Sequence, residues 1–214
     1  QDSDALDEVA EMIFKSDQTL LVGVGTTFYV ASYGNYIFSS LAGEFCPPIS
    51  SDEFTSLANV DKNSLVIALS QSGETYDTLS ALKYAKSKGA RTAAIVNAMG
   101  SSISCFVDKV ILQGSGPEIC VISTKAALSQ MLILTMIALR VGVKKKVLTQ
   151  KAYAKSMAAL GELPGIIQSI LNERSGFIHR IAHNYCKTRH WLYLGRGIYY
   201  PIALESALKM KEVA

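Results

Sequence analysis

The stretch SLVIALSQSGETYDTLSALKYAKSKGAR, residues 64–91, joins a short apolar run, a loop of small polar residues and a helical pattern. A run of about five Val, Ile, Leu and Ala residues is typical of a strand that is buried on both faces of a parallel sheet. Gly89 follows a basic segment and marks the end of the helix. The stretch therefore predicts one strand–loop–helix unit of an α/β fold.

The same alternation recurs along the first two thirds of the chain. It predicts strands at residues 20–23, 46–50, 65–69, 92–96 and 109–113. Helical patterns fill the gaps, at residues 4–15, 27–41, 75–88 and 124–141. Five parallel strands that alternate with helices predict a doubly wound α/β domain over residues 1–143.

Beyond this domain the pattern changes twice. Residues 144–188 carry no strand signal and predict a helical linker of two or three helices, broken near Pro164 and Ser175. Residues 189–214 then repeat the order of apolar strand, Gly-x-Gly turn and helix, with Gly195 aligned on Gly23. We interpret this as the first βα unit of a second, truncated domain, although any βα turn can give the same pattern.

Composition indicates an ordinary globular protein. Of the 214 residues, 18% are charged and the net charge is only +3, which argues against a nucleic-acid groove but allows a small anionic ligand. The longest apolar run, residues 128–143, is shorter than the roughly 20 residues that span a bilayer, so we expect a buried helix and no membrane segment. The N-terminus has no signal-peptide pattern.

The four cysteines are far apart and form no CxxC pair, so neither a zinc site nor a disulfide framework is expected; they are Cys46, Cys105, Cys120 and Cys186. A reducing cytoplasm is the default location. His179 and His183 are one helical turn apart, but no HExxH pattern accompanies them, and we expect these histidines and His190 to be exposed. We expect no metal and no other cofactor.

Three loops rich in hydroxyl groups follow predicted strands and lead into helices, at residues 23–27, 70–75 and 116–125. In a parallel sheet such loops meet at the carboxyl edge, where helix N-termini favour an anion. Hydroxyl groups and backbone amides suit a phosphate monoester such as a sugar phosphate. The alternative is that the Ser and Thr side chains only cap the helices.

Two nucleotide-binding motifs fit the sequence poorly. In the first loop Phe28 stands where a dinucleotide fingerprint has its third glycine, and the acidic residue at a suitable distance, Glu44, precedes the second strand. A Walker A sequence does not occur in the chain. A nucleotide is therefore not the expected ligand.

The last predicted helix places Glu205, Lys209 and Glu212 on one face, at spacings of four and three residues. Spacing alone favours surface ion pairs, which contribute little to stability. The alternative is a carboxylate base beside a lysine, an arrangement that can move a proton between two adjacent sugar carbons.

Three motifs together resemble a known family: LSQSGET at 69–75, EICVISTKA at 118–126 and LGRGIYYPIALESALKMKE at 194–212. They are similar to the sugar-isomerase (SIS) domains of glutamine:fructose-6-phosphate aminotransferase, the glucosamine-6-phosphate synthase family. The resemblance implies a flavodoxin-like fold and a site whose residues carry over by motif. The implied phosphate and sugar contacts are Thr27, Ser70, Gln71, Ser72, Thr75, Val121 and Ser123.

The resemblance also implies a reaction. Glu212 matches the carboxylate that moves a proton between C1 and C2 of the sugar, and Lys209 matches a lysine that assists ring opening. Thr27 stands where the family commonly has serine. The family makes glucosamine 6-phosphate from fructose 6-phosphate, with ammonia from a glutaminase domain, and it is usually dimeric.

The chain departs from that family in what it lacks. The glutaminase domain, a catalytic histidine and a C-terminal lysine have no counterpart in these 214 residues. We therefore expect this chain by itself not to hydrolyse glutamine, to bind fructose 6-phosphate weakly or not at all, and not to turn it over.

Two other functions remain open. One is a related phosphosugar isomerase or a glucosamine-6-phosphate deaminase, which shares the SGET loop. The other is a phosphosugar-sensing module without catalysis. The ALKMKE segment, residues 207–212, favours an enzyme because a sensor needs no base.

Overall fold

A computed structural model describes residues 3–119 and 122–213. The sheet has five strands in the order β2-β1-β3-β4-β5, and every neighbouring pair is parallel. This order is the flavodoxin-like variant of the doubly wound fold. The strands are β1 Gln18–Gly23, β2 Pro48–Ser50, β3 Ser64–Ser70, β4 Arg91–Val96 and β5 Lys109–Leu112.

Helices connect the strands and continue after the sheet is complete. The predicted fold class is confirmed, and each predicted strand of the sheet overlaps an observed one. The helices are α1 Ser3–Phe14, α2 Thr26–Ala42, α3 Phe54–Leu57, α4 Tyr76–Ser87, α5 Ser102–Phe106, α6 Lys125–Lys144, α7 Gln150–Gly161, α8 Leu163–Tyr185 and α9 Tyr199–Val213.

The core lies on both faces of the sheet. On one face α1, α2 and α6 contribute buried residues such as Val9, Phe38 and Ile133. On the other face α3, α4 and α5 contribute Phe54, Leu82 and others. All seven residues of β3 are buried, as a strand covered on both faces requires.

Helix α6 packs against α1 and α2. By length and composition it is the one helix of the described chain that could cross a membrane, yet 61% of its most apolar window is buried within the protein. Its buried residues include Ile133, Leu134 and Ile137. Such burial is expected of the core helix of a globular fold.

The predicted helix break near Ser175 is wrong. Helix α8 runs without interruption from Leu163 to Tyr185, and the hydroxyl group of Ser175 donates to the carbonyl oxygen of Leu171, one turn earlier. A serine that bonds back to its own helix in this way does not have to end it. The break near Pro164 is confirmed, because α7 ends at Gly161 and the proline lies in the first turn of α8.

The strand predicted from Trp191 is not formed. Leu192 and Leu194 are 84% and 83% exposed, in a segment without regular structure. A strand gains its hydrogen bonds only from a neighbouring strand, and none lies beside this segment in the described part of the chain. The helix that follows does form, since α9 packs against α2.

Candidate active site

The sheet order places the loops after β1 and β3 side by side. Strand β1 pairs with β2 on one side and with β3 on the other. After β1 the chain continues to one side of the sheet, to β2, whereas after β3 it continues to the opposite side, to β4. A crevice forms outside the carboxyl ends of the strands at such a switch point, and ligands of doubly wound folds bind there. The first two hydroxyl-rich loops lie at this crevice.

The loop after β1 turns on Gly25. This residue has φ of +59°, a conformation that residues with a Cβ atom rarely adopt. Thr27 then closes the loop, because its hydroxyl group donates to the carbonyl oxygen of Val24 and accepts from the amide of Val24, both at 2.9 Å. Thr27 thus shapes the loop and also faces the crevice.

The loop after β3 is braced by its own hydroxyl groups. The hydroxyl oxygen of Ser70 accepts from the amide of Gly73 at 3.0 Å and lies 3.0 Å from the hydroxyl oxygen of Thr75. The hydroxyl oxygen of Ser72 accepts from the amide of Glu74 at 3.1 Å. The loop is therefore held in shape before any ligand arrives.

Gly73 and Glu74 hold this loop against the segment that connects β4 to α5. Gly73 has φ of +69°, and a Cβ atom there would lie 2.0 Å from the hydroxyl oxygen of Ser101. The carboxylate of Glu74 accepts from the amide and the hydroxyl group of Ser102, at 2.8 Å and 2.6 Å. These two hydrogen bonds lower the pKa of Glu74. The glycine and the carboxylate thus fix the loop against the segment that precedes α5.

The third loop reaches the crevice through Ser123, whose hydroxyl group donates to Glu118 at 3.3 Å. The other carboxylate oxygen of Glu118 accepts from the amide of Thr124 at 3.1 Å, just before α6 begins. Glu118 therefore organises this loop. Val121, which the family resemblance also implied, lies outside the described residues.

The alternative that these hydroxyl groups only cap helices does not hold for α2 and α4. The N-cap residues are Gly25 and Thr75, and neither makes a side-chain capping hydrogen bond. Thr75 is engaged with Ser70 instead. Thr75 therefore does not cap α4 through its side chain, and no N-cap side chain occupies the start of either helix.

Helix α9 brings three charged side chains to the start of α2. The ammonium group of Lys209 donates to the hydroxyl oxygen of Thr26 and to the carboxylate of Glu212, both at 2.8 Å, and it lies 3.4 Å from the carboxylate of Glu205. Thr26 in turn donates to Glu205 at 3.2 Å. The interpretation as exposed surface pairs is therefore wrong for Glu205 and Lys209, whose side chains are only 13% and 19% exposed.

This environment shifts two pKa values upward. Burial raises the pKa of Glu205, and the nearby Lys209 and the Thr26 hydrogen bond offset only part of that rise. For Lys209, burial acts to lower the pKa, but the hydrogen bond to Glu212 and the charge of Glu205 outweigh it and raise the pKa. Lys209 is therefore firmly cationic at neutral pH.

These elements enclose a cleft of about 380 Å³. Ser70 is hydrogen-bonded to Thr75, which lines the cleft, and Lys209 is hydrogen-bonded to Glu212, which also lines it. The residues that line the cleft are Val24, Gly25, Thr26, Thr27, Gln71, Ser72, Thr75, Glu118, Ser123 and Glu212.

Sequence reasoning missed the parts played by Thr26, Glu118 and Glu205. Thr26 and Glu118 stood inside the loops that were singled out, but nothing in the sequence distinguished them from their neighbours. The spacing of Glu205 from Lys209 was a usable signal. The three histidines are exposed, as expected.

The cleft combines two chemical capacities. Hydroxyl groups, an amide side chain and two helix N-termini can bind the oxygens of a phosphate without a cluster of lysines. On the opposite wall a carboxylate and a lysine can exchange or steer a proton. A small phosphorylated ligand with a removable proton on a carbon atom or a hydroxyl group would use both capacities.

The fold is that of a doubly wound α/β domain with a cleft suited to a small phosphorylated ligand, and comparison with known proteins gives the family. Residues 12–140 match the SIS domain family, so the chain belongs to it. The predicted resemblance is confirmed in more detail by curated relatives named glutamine–fructose-6-phosphate aminotransferase [isomerizing]. Those from Methanococcus maripaludis and Vibrio cholerae are 38% and 39% identical over 97% and 96% of this chain.

The chain spans about a third of the length of these relatives, 34% in both cases. Among solved structures, the C-terminal domain of glucosamine-fructose-6-phosphate aminotransferase from Francisella tularensis superposes with a TM-score of 0.91 at 32% identity. The match covers 99% of this chain and 61% of that one. The chain is thus similar to part of an aminotransferase.

Proposed function

We propose that the chain is part of the isomerase half of a glutamine:fructose-6-phosphate aminotransferase. In this proposal it binds fructose 6-phosphate and glucosamine 6-phosphate and converts the ketose to the amino aldose with ammonia. The observation that carries the proposal is that Glu212 lines the same cleft as the hydroxyl-rich loops of Thr27 and Ser72. A group able to take a proton thus faces a pocket suited to phosphate.

The phosphate is assigned to the loops after β1 and β3. Thr27, Ser72 and Thr75 offer hydroxyl groups, Gln71 offers an amide, and Ser70 holds Thr75 in place. Charge-assisted hydrogen bonds of this kind are the stronger ones in proteins. The sugar portion is assigned to Ser123 and, from the resemblance, to Val121.

The proton transfer is assigned to Glu212. Ammonia first condenses with the C2 carbonyl group of the open-chain sugar, with loss of water, to give an imine. The carboxylate of Glu212 removes a proton from C1, the electron pair of that C–H bond forms a C1–C2 double bond, and the π electrons of the C2–N bond move to nitrogen, which takes up a proton. Glu212 then returns its proton to C2 while the C1 hydroxyl group loses its own, which gives the C1 aldehyde and the C2 amine. Lys209 assists the earlier opening of the sugar ring. The 2.8 Å hydrogen bond between these side chains supports their joint assignment.

The remaining assignments concern the protein around this site. We assign residues 1–143 to a first SIS domain, 144–188 to a helical linker and 189–214 to the start of a second SIS domain. A glutaminase domain supplies ammonia, the protein forms a homodimer, and it acts in the cytoplasm in amino-sugar synthesis. The relatives' names, which include glutamine, and the coverage of only a third of their length support the presence of a glutaminase domain in the longer protein.

The test is an assay of the protein at its full natural length with fructose 6-phosphate and either glutamine or ammonia. Formation of glucosamine 6-phosphate from glutamine is the expected result. Turnover with ammonia alone would instead indicate a deaminase-type enzyme, and binding of the sugar phosphate without turnover would indicate a sensing module.

Glu212→Gln tests the catalytic assignment in the same assay. The amide keeps the shape of the side chain but cannot take up a proton, so we expect kcat to fall by a factor of about 10² to 10⁴. Glu8→Gln, which changes an exposed carboxylate on α1, is the matched control. Unchanged turnover in Glu212→Gln would overturn the assignment.

A further inference from the structure

We propose that Glu205 is a positioning residue that holds Lys209 in place and charged while Glu212 carries the transferred proton. The inference rests on the proposed function, since it concerns the reaction assigned to Lys209 and Glu212. It gives a role to Glu205, which the spacing had placed beside Lys209 but to which the resemblance assigned none.

The ammonium group of Lys209 is surrounded by oxygen atoms from two helices. It has three N–H donors and three oxygen neighbours: the hydroxyl group of Thr26, the carboxylate of Glu212 and the carboxylate of Glu205. The two carboxylates belong to the preceding and following turns of α9. Lys209 is thus held from both sides along its own helix and from α2.

The two carboxylates beside Lys209 differ in burial. The side chain of Glu212 is 33% exposed and lines the cleft, whereas that of Glu205 is 13% exposed and does not. A group that exchanges protons with a substrate must reach it, and a group that supplies a constant charge need not. The geometry therefore separates a reacting carboxylate from a supporting one.

Proton transfer by Glu212 changes the charges around Lys209. When Glu212 is protonated its negative charge is lost, and among the described residues Lys209 then keeps a charged partner only in Glu205. Thr26 donates to the same Glu205 oxygen that faces Lys209, which fixes the carboxylate relative to α2. Glu205 thus prevents Lys209 from moving or losing its proton in the middle of the reaction.

The cost of this arrangement is visible at the other oxygen of Glu205. That oxygen, Oε2, is buried and has no hydrogen-bond partner among the described residues. A buried oxygen without a partner is unfavourable, and such groups persist mainly where another role retains them. The orientation that serves Lys209 leaves Oε2 unsatisfied.

Few other charged groups are placed to influence the pKa of Lys209. Within residues 3–119 and 122–213, the ion pairs of Lys209 are with Glu205 and Glu212 of its own helix. The packed helix α2 contributes the uncharged hydroxyl group of Thr26, and Glu118 lines the same cleft from the loop before α6. Removal of the Glu205 charge should therefore change the pKa of Lys209 directly.

The test is an NMR titration of Lys209 in the 214-residue protein labelled with ¹³C at the lysine Cε atoms, with the signal assigned by comparison with Lys209→Arg. Glu205→Gln keeps the shape of the side chain and removes its charge. We expect the pKa of Lys209 to be lower in this variant. No sugar phosphate is present, so the outcome does not depend on the proposed activity.

Two further variants sharpen the titration. Thr26→Val removes the hydroxyl group without changing a charge, so we expect a smaller change in the pKa of Lys209 than Glu205→Gln gives. Glu8→Gln, at an exposed ion pair with Lys109, should leave Lys209 unchanged. If Glu205→Gln alters the thermal stability but leaves the Lys209 titration where it was, Glu205 is only structural and the proposal is wrong.

A kinetic readout completes the test in the protein at its full natural length. We expect Glu205→Gln to lower kcat about tenfold with little change in KM, because misplacement of a catalytic group affects the chemical step. The alkaline limb of the rate profile should move to lower pH, since Lys209 then loses its proton more easily. An unchanged kcat and pH profile would overturn the proposal, whereas failure to bind any sugar phosphate would overturn the proposed function alone.

Discussion

Thr26 and Glu205 are 179 residues apart in the chain, and the hydroxyl group of Thr26 donates to the carboxylate of Glu205 at 3.2 Å. Thr26 is the first residue of α2, directly after the loop of Gly25. Glu205 lies in α9, together with Lys209 and Glu212. One hydrogen bond thus joins the proposed phosphate loop to the helix that carries the proposed acid–base chemistry.

Thr26→Val should destabilise the protein by about 1–2 kcal/mol, because the largely buried Glu205 carboxylate and the Lys209 ammonium group both lose a partner. Valine has nearly the same shape, so packing is preserved. Urea unfolding at neutral pH measures the difference. Thr55→Val, the same change at an exposed position of α3, should stay within about 0.5 kcal/mol of the parent. Equal effects at both positions would contradict the proposed coupling.

Ser72→Ala should weaken the binding of fructose 6-phosphate about tenfold or more, since a hydrogen bond to a charged group contributes about 1.5–3 kcal/mol. Titration calorimetry on the protein at its full natural length measures the Kd. Ser56→Ala, at an exposed serine of α3, is the matched control and should bind as the parent does. An unchanged Kd in Ser72→Ala would remove this residue from the phosphate site.

Gly73→Ala and Gly100→Ala should differ in stability. Both glycines have positive φ, +69° and +78°, and that conformation alone costs alanine about 1–2 kcal/mol. At Gly73 the new methyl group also overlaps Ser101, which adds about 1–3 kcal/mol, whereas at Gly100 no atom lies within 4 Å. Thermal unfolding should therefore show the larger loss for Gly73→Ala. A larger loss for Gly100→Ala would show that the loop is not packed as described.

Asp108→Asn should destabilise the protein at neutral pH and lose this effect in acid. Burial alone would raise the pKa of Asp108, but Lys86 and two hydrogen bonds from Thr92 outweigh it and hold the pKa below its ordinary value of 3.8. A lowered carboxyl pKa gives stability that is present above pH 3.8 and is lost as the pH falls through the folded-state pKa. Because the side chain is 45% exposed, solvent screening keeps the contribution within about 1 kcal/mol.

The measurement is urea unfolding of the parent and of Asp108→Asn over a series of pH values. The gap between the two should narrow as the pH falls below 3.8. Asp17→Asn removes the same charge at an exposed position and controls for net charge. A gap that widens in acid would show that the carboxylate of Asp108 is not stabilised by Lys86 and Thr92.

The sequence predicted the sheet because its signals are local. The apolar run at β3 is buried along its whole length, and short runs of this kind mark parallel strands without any knowledge of the neighbours. The loops around Thr27 and Ser72 were also predicted, since hydroxyl-rich segments after such strands collect at one edge. The short helices α3 and α5 were missed because four or five residues carry too little periodicity.

What the sequence could not predict depends on docking between distant elements. The role of Glu205 follows from the packing of α9 on α2, and spacing within α9 alone favoured a surface ion pair. The strand pattern from Trp191 was equally local, but a strand forms only beside another strand. Both errors concern the last part of the chain, where the local sequence pattern does not indicate which elements pack together.

The proposed function requires one sugar-phosphate site formed by the loops of residues 23–27 and 70–75 together with helix α9. Hydrogen exchange measured by mass spectrometry, on the protein at its full natural length with and without fructose 6-phosphate, tests it most directly. We predict slower exchange in peptides that cover these two loops and α9, little change in α8, and no such effect from fructose without its phosphate. Protection that falls elsewhere, with these loops unchanged while the ligand is bound, would contradict the account.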